Sequence, residues 1–288
     1  MFRGSMVALV TPFKKDGSVD FRRLAALAEW QVASGTDALV PCGTTGEGAT
    51  LDAAERSAVI RTVVRQVKSR VPVIAGTGSN STAVAVENGK AARRAGADAL
   101  LVVTPYYNKP TQAGLFSHYE RIAGEVPLPV VLYNVPSRTG VNLLPETVAR
   151  LSKVPGIAAI KEASGSLPQV SRLMSLCALP VLSGDDALTV PMMAIGARGV
   201  ISVAANVAPA GMKEMVAAAA TGDWVKAREL HHCLQPLVEA CFLESNPIPV
   251  KAMLALRGRI GATLREPLGP PSRETLRKLK AVLAQYPA

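Results

Sequence analysis

Eight short apolar runs, each followed by a helix-patterned stretch and spaced by about 20 to 35 residues, predict a (β/α)8 (TIM) barrel. The phrases leading into these runs recur along the chain. After the eighth run the strand pattern stops and only helical pattern remains. The expected fold is α/β, a closed barrel over residues 1–222 with a small C-terminal helical extension over residues 223–288. A doubly wound open sheet would share the alternation, but no Gly-x-Gly-x-x-Gly follows the first run.

The runs are residues 6–10, 38–42, 72–76, 99–103, 129–133, 157–161, 180–183 and 199–203. Small and β-branched residues bounded by turn residues read as strands buried on both faces. Val71-Pro72-Val73, Leu128-Pro129-Val130 and Leu179-Pro180-Val181 put proline at a strand's first residue, where the missing amide does least harm. Gly35-Thr36-Asp37-Ala38, Gly96-Ala97-Asp98-Ala99 and Gly196-Ala197-Arg198-Gly199 put glycine at a helix exit. Between the strands, Asp20 is placed to cap a helix running to Ser34, with Phe21, Leu24, Leu27 and Ala28 on its buried face. Asp52 and Glu55 have capping-box spacing ahead of Val59, Ile60 and Val63. Further helices are expected over residues 82–95 and after Thr111. From Asn206 onward the chain reads helical, with breaks at 244–249 and 267–271.

Of 288 residues, 49% are apolar and 19% charged, enough for a large core. No apolar run reaches membrane-spanning length, and the first residues lack a secretory apolar region and cleavage site. Cys42, Cys177, Cys233 and Cys241 are far apart and without metal-ligand spacing, so they read as reduced core or pocket residues of a cytoplasmic protein. A net charge of +10 suits nucleic acid, anionic lipid or acidic small substrates. Its excess gathers in Arg257, Arg259, Arg265, Arg273, Arg277, Lys278 and Lys280, among leucines at helical spacing and without aromatics for base stacking. That pattern reads as a solvated helix face, with neither a nucleic-acid nor a membrane partner.

Barrel enzymes carry their chemistry where strands end. The sixth run ends in Lys161, followed by Glu162-Ala163-Ser164-Gly165. Burying an ammonium without a partner is costly and favours the neutral amine, which a Schiff-base lysine needs. The competing reading is a lysine that lays its stem on the strand and its head in water. The second run ends in Cys42-Gly43-Thr44-Thr45-Gly46-Glu47-Gly48, a glycine-rich turn whose amides can form an anion nest for a small carboxylate. The fourth ends in Thr104-Pro105-Tyr106-Tyr107, which packing also explains. The fifth ends in Tyr133, able to face the barrel interior beside Lys161 and to shuttle protons during imine formation. Arg138, five residues on, fits a carboxylate with its planar fork or a surface ion pair. His231-His232 lack zinc-site spacing, His118 stands alone, Asp185-Asp186 lack a second carboxylate cluster, and no Gly-x-Ser-x-Gly elbow occurs. Amine catalysis without a metal is the chemistry left.

Gly43-Thr44-Thr45-Gly46-Glu47, the stretch from Tyr133 to Gly140, and Ile160-Lys161-Glu162-Ala163-Ser164-Gly165 resemble signatures of the dihydrodipicolinate synthase (4-hydroxy-tetrahydrodipicolinate synthase) family, within the pyruvate-dependent class I aldolases. The resemblance runs from about Gly4 into the C-terminal helices and includes Ser183-Gly184-Asp185-Asp186 and Gly199-Val200-Ile201-Ser202-Val203. It implies that Lys161 condenses with pyruvate and that the resulting enamine attacks aspartate 4-semialdehyde. It implies a proton relay of Tyr133, Thr45 and Tyr107, with Tyr107 supplied by a neighbouring subunit. Thr44 and Thr45 would hold the pyruvate carboxylate, Arg138 would receive that of the semialdehyde, and main-chain groups of Gly184 and Ile201 would complete the site. It further implies a homotetramer, built as a dimer of dimers, that needs no cofactor.

Lysine-inhibited members of the family bind free lysine at a subunit interface. Asn80 and Tyr106 fit that site, but Val84 stands where those members place glutamate, and Ala53 and Arg56 stand where they often carry imidazole or aromatic groups. A ligand ammonium would lose its counter-charge at Val84 and meet a like charge at Arg56, so feedback by lysine should be weak or absent. Two other functions compete. A retro-aldol lyase of sialic or keto-deoxy sugar acids shares the lysine and tyrosine but needs hydroxyl contacts where Arg138 stands. A catalytically silent barrel that binds through its basic tail would have no use for the lysine and its relay.

Overall fold

The structure, a computed structural model, describes residues 2–286; Met1 and residues 287–288, the ends of the two expected segments, lie outside them. Eight parallel strands form the barrel: β1 (Gly4–Ala8), β2 (Ala38–Val40), β3 (Ile74–Gly76), β4 (Ala99–Val103), β5 (Val130–Asn134), β6 (Ile157–Glu162), β7 (Val181–Ser183) and β8 (Gly199–Ser202). They pair in the order β2-β1-β8-β7-β6-β5-β4-β3. A parallel bridge between Leu39 and Val73 closes β2 onto β3.

The recurrent phrases acquire physical roles. Pro72, Pro129 and Pro180 lie one or two residues before their strands rather than inside them. Each offers only its carbonyl to the neighbouring strand, accepting from Leu39, Leu100 and Ile160 at 2.9–3.0 Å. The missing amide thus falls outside the ladder. The aspartates of the Gly-x-Asp-Ala phrases tie strand starts: Asp37 accepts from the Ser5 amide and Asp98 from the Val73 amide, both at 2.8 Å.

Side-chain alternation sorts two cores. Met6, Ala8, Val40, Ile74, Leu101, Val131, Tyr133, Ala159, Leu182 and Ile201 fill the barrel interior. Intervening residues such as Val7, Leu39, Leu100, Leu132, Ile160 and Val200 face the helices. Asp20 caps Phe21–Ala33 by accepting from the Arg23 amide, and Asp52 with Glu55 forms a complete capping box on Ala53–Val67. Ser81 caps Thr82–Arg94 and Thr111 caps Gln112–Glu125. Phe21 departs from expectation: at the first helical position it is 40% exposed, and Gln31 takes a buried place, bonded to the Ala205 carbonyl and Thr36.

Beyond the barrel come the helices Trp224–Ala240, capped by Asp223, Ile248–Leu256 and Arg273–Leu283. The second break is longer than expected, since residues 257–272 form no helix. The basic tail also divides differently. Arg273, Arg277, Lys278 and Lys280 are exposed, as a solvated face requires. Arg257, Arg259 and Arg265 instead fasten the extension. Arg257 donates to the Val207 carbonyl at 2.8 Å, Arg259 stacks 3.6 Å over Trp30, and Arg265 pairs with Glu55. Cys42 and Cys241 are buried but Cys233 is exposed, so not every thiol is a core residue. Among the described residues, no helix is long and apolar enough to cross a membrane.

Candidate active site

Lys161 and Tyr133 are register partners on β6 and β5. Ala159, Lys161 and Ala163 share the inward parity of β6, and Val131, Tyr133 and Val135 that of β5. Both side chains therefore enter the barrel: Lys161 is 5% exposed, and its Nζ lies 4.3 Å from the Tyr133 ring centroid. The solvated-head reading of Lys161 does not hold. No carboxylate pairs with its amine among the described residues. Gly184, after β7, makes the room: a Cβ there would lie 2.9 Å from Lys161 Cε and 2.7 Å from the Ala163 Cβ.

On the opposite face of these strands, the residues following the pair lock the two strand ends together. The Asn134 amide group donates to Glu162 at 3.1 Å and to Asn142 at 2.8 Å, while its carbonyl oxygen accepts from the Leu143 amide at 2.9 Å. Glu162 also accepts from the Ser164 amide at 2.7 Å, and burial raises its carboxyl above the ordinary range. Polar residues ending two otherwise apolar strands were the sequence signal for this lock, and sequence reasoning passed over them.

Above Tyr133 opens a cavity of about 530 Å³, lined in part by Thr44, Tyr133, Arg138, Arg56, Tyr106 and Asn246. Thr44 is exposed on it; Thr45 is 2% exposed and its hydroxyl accepts from the Asn246 side chain at 2.9 Å. Arg138 rides the short helical turn Pro136–Thr139, exposed at the mouth. Ile201 is fully buried in the same interior cluster as Tyr133. Tyr107 stays outside its own cavity. It is 89% exposed, its backbone is left-handed at φ +72°, and its amide reaches the Thr139 carbonyl at 3.4 Å.

The glycine-rich turn is held from below by groups that sequence reasoning missed. Glu47 adopts a left-handed conformation at φ +51°, and its carboxylate meets Lys251 Nζ at 2.5 Å with both side chains buried. Lys251 also donates to the Thr11 carbonyl at 3.0 Å and lies 4.2 Å over the Phe13 ring. Burial lowers the Lys251 pKa, and the Glu47 carboxylate opposes that shift. The Arg265 amide donates to Glu47 at 3.0 Å, and its guanidinium reaches the Thr50 and Gly17 carbonyls. The one lysine inside the apolar helix Ile248–Leu256 was the available signal.

Cys42, His118 and Asp186 have structural surroundings. Burial pushes the Cys42 thiol up to about 12, far from thiolate chemistry. His118 is buried against Tyr119 with Nδ1 2.9 Å from the Thr82 hydroxyl. Asp186 ties β7 to β8, accepting from the Val203 and Ala204 amides. Among the described residues, no three His, Cys, Asp or Glu side chains gather as a metal site would require.

Comparisons with known proteins bear on the fold and the family. The chain is 55% identical over 288 residues to the 4-hydroxy-tetrahydrodipicolinate synthase of Geobacter metallireducens, covering 99% of each chain. It superposes with a TM-score of 0.97 on dihydrodipicolinate synthase from Aquifex aeolicus, at 46% identity and 99% and 98% coverage. The same TM-score and identity hold for the chloride-inhibited Acinetobacter baumannii enzyme complexed with pyruvate, with 99% of each chain covered. The model of the Dihydrodipicolinate synthetase family matches residues 1–286, and the chain belongs to that family.

Proposed function

We propose that this chain is a class I aldolase that condenses pyruvate with L-aspartate 4-semialdehyde to give 4-hydroxy-tetrahydrodipicolinate, on the diaminopimelate route to lysine. The carrying observation is the buried amine of Lys161 set against the ring of Tyr133, which itself lines an open cavity together with Arg138.

Lys161 Nζ attacks C2 of pyruvate and water leaves, giving an iminium that withdraws electrons from the methyl group. Loss of a methyl proton gives the enamine, whose carbon attacks the aldehyde of the semialdehyde. The amino group of the second substrate then attacks C2, closes the ring and releases the lysine. Tyr133 carries protons between these steps through its phenol hydroxyl. Thr44, exposed on the cavity that Tyr133 also lines, offers a second hydroxyl for the relay role expected of Thr45. Thr45, drawn inward, suits the pyruvate carboxylate, together with the amides of the glycine-rich turn and main-chain groups of Gly184 and Ile201. Arg138 at the mouth suits the carboxylate of the semialdehyde.

Tyr107, 89% exposed and not among the residues lining its own cavity, supports a relay completed by a neighbouring copy, as in the expected homotetramer of tight dimers. The barrel at residues 1–222 would carry the chemistry and residues 223–288 brace it, with the four free thiols suited to a reducing cytoplasm. The identity to synthases, together with Arg138, favours this reaction over retro-aldol cleavage of a sugar acid. Comparing turnover of pyruvate plus aspartate semialdehyde with cleavage of N-acetylneuraminate tests it; faster sugar-acid cleavage would reverse the assignment.

A further inference from the structure

We propose that Asn246, in the C-terminal extension, is a positioning residue for pyruvate: it acts through Thr45 and sets the affinity for the keto acid rather than the rate of its chemistry. This rests on the reading of the cavity as a pyruvate site.

The Asn246 side chain is 6% exposed and donates from Nδ2 to Thr45 Oγ1 at 2.9 Å, across 201 residues of sequence. A hydroxyl carries one proton and two acceptor sites. With an acceptor site of Thr45 taken by the amide, the Thr45 proton is left to donate elsewhere. The glycine-rich turn that carries Thr45 is the part of the cavity rim suited to a small anion. A hydroxyl held in donor orientation recognises a carboxylate without having to reorganise on binding. Among the described residues, the Asn246 Oδ1 has no hydrogen-bond partner and Nδ2 meets Thr45, so Thr45 is the residue this side chain serves.

Asn246 is rigidly placed. The helix that follows it, Ile248–Leu256, carries Lys251, whose contact with Glu47 fixes the extension two residues from Thr45. Arg265 repeats the connection by donating its amide to Glu47 and its guanidinium to the Thr50 carbonyl. Three residues of the extension, Asn246, Lys251 and Arg265, therefore converge on one turn of the barrel. This convergence gives the C-terminal segment a part in substrate recognition.

The test measures half-saturating pyruvate for borohydride trapping of the imine, and steady-state KM and kcat, in wild type, N246A, N246D, T45V and T45V/N246A. Loss of one such hydrogen bond should raise half-saturating pyruvate about tenfold in N246A, leaving kcat and the KM for aspartate semialdehyde within about threefold. N246D, which turns a donor into a competing acceptor, should raise it further. The double variant should match T45V alone, because the two side chains act as one unit. Unchanged half-saturation in N246A, a fall in kcat alone, or additive effects in the double variant would overturn the inference. If wild type itself forms no trapped imine, the pyruvate reading fails first; if wild type is trapped and N246A half-saturates at the same concentration, only the positioning role fails.

Discussion

Lys161 and Tyr133 face each other as register partners on adjacent parallel strands, with the amine 4.3 Å from the centre of the phenol ring. This placement follows from strand periodicity, since a one-residue slip of either strand would turn its side chain outward among the helices. Removing the phenolic hydroxyl in Y133F should lower kcat by about 10²- to 10⁴-fold, the usual worth of a positioned proton carrier, while pyruvate can still be trapped on Lys161. Stopped-flow or steady-state kinetics with parallel borohydride labelling checks this. A loss smaller than about threefold would remove Tyr133 from the relay.

The Glu47–Lys251 pair predicts an asymmetric response to mutation. Both side chains are fully buried, so K251M leaves an unpaired carboxylate inside the protein and should cost about 3–5 kcal/mol. The double variant E47Q/K251M removes that charge and should be more stable than K251M alone. Denaturant titration of the three proteins measures both differences. Equal stability of the single and double variants would mean that the charge is hydrated through local rearrangement.

Feedback inhibition by lysine should be weak. Val84 is 49% exposed where sensitive relatives are expected to carry glutamate. The Arg56 guanidinium occupies the cleft and donates to the Gly76 carbonyl at 3.1 Å and the Gly48 carbonyl at 2.6 Å. An incoming ammonium meets the Arg56 cation there, while the Glu47 carboxylate nearby is already taken by Lys251. Half-inhibition by submillimolar lysine in a steady-state assay would contradict this account, and V84E should increase sensitivity.

His118 predicts a pH dependence of stability. Burial lowers its folded-state pKa to about 4, against an ordinary 6.5. Between these values the unfolded chain binds the proton and the folded one does not, so stability falls as the pH drops from about 6.5 to 4. The contribution is about 3 kcal/mol by the low end of that window. In H118N, whose side chain can still meet the Thr82 hydroxyl, the slope of unfolding free energy against pH should flatten there. An unchanged slope would assign the titration to other groups.

Much of the barrel was legible because its signals are local. Asp20, Asp52 with Glu55, and Thr111 announce their helices, and buried strands read as short β-branched runs. The pairing of Tyr133 with Lys161 was legible too, because both close apolar runs one unit apart in a regular barrel, one residue short of the strand ends at Asn134 and Glu162. What stayed hidden depends on contacts between residues far apart in sequence. Asn246 and Thr45 are separated by 201 residues, and Lys251 and Glu47 by 204. The last arginines looked like a solvated face because leucines flank them, yet Arg259 covers Trp30 and Arg265 holds the glycine-rich turn.

The most direct measurement is borohydride reduction of the protein with pyruvate, followed by peptide mass analysis of wild type and K161A. The account predicts a carboxyethyl adduct on the peptide containing Lys161 in wild type, with no adduct and almost no turnover in K161A. An adduct on another lysine, or full activity in K161A, would contradict it.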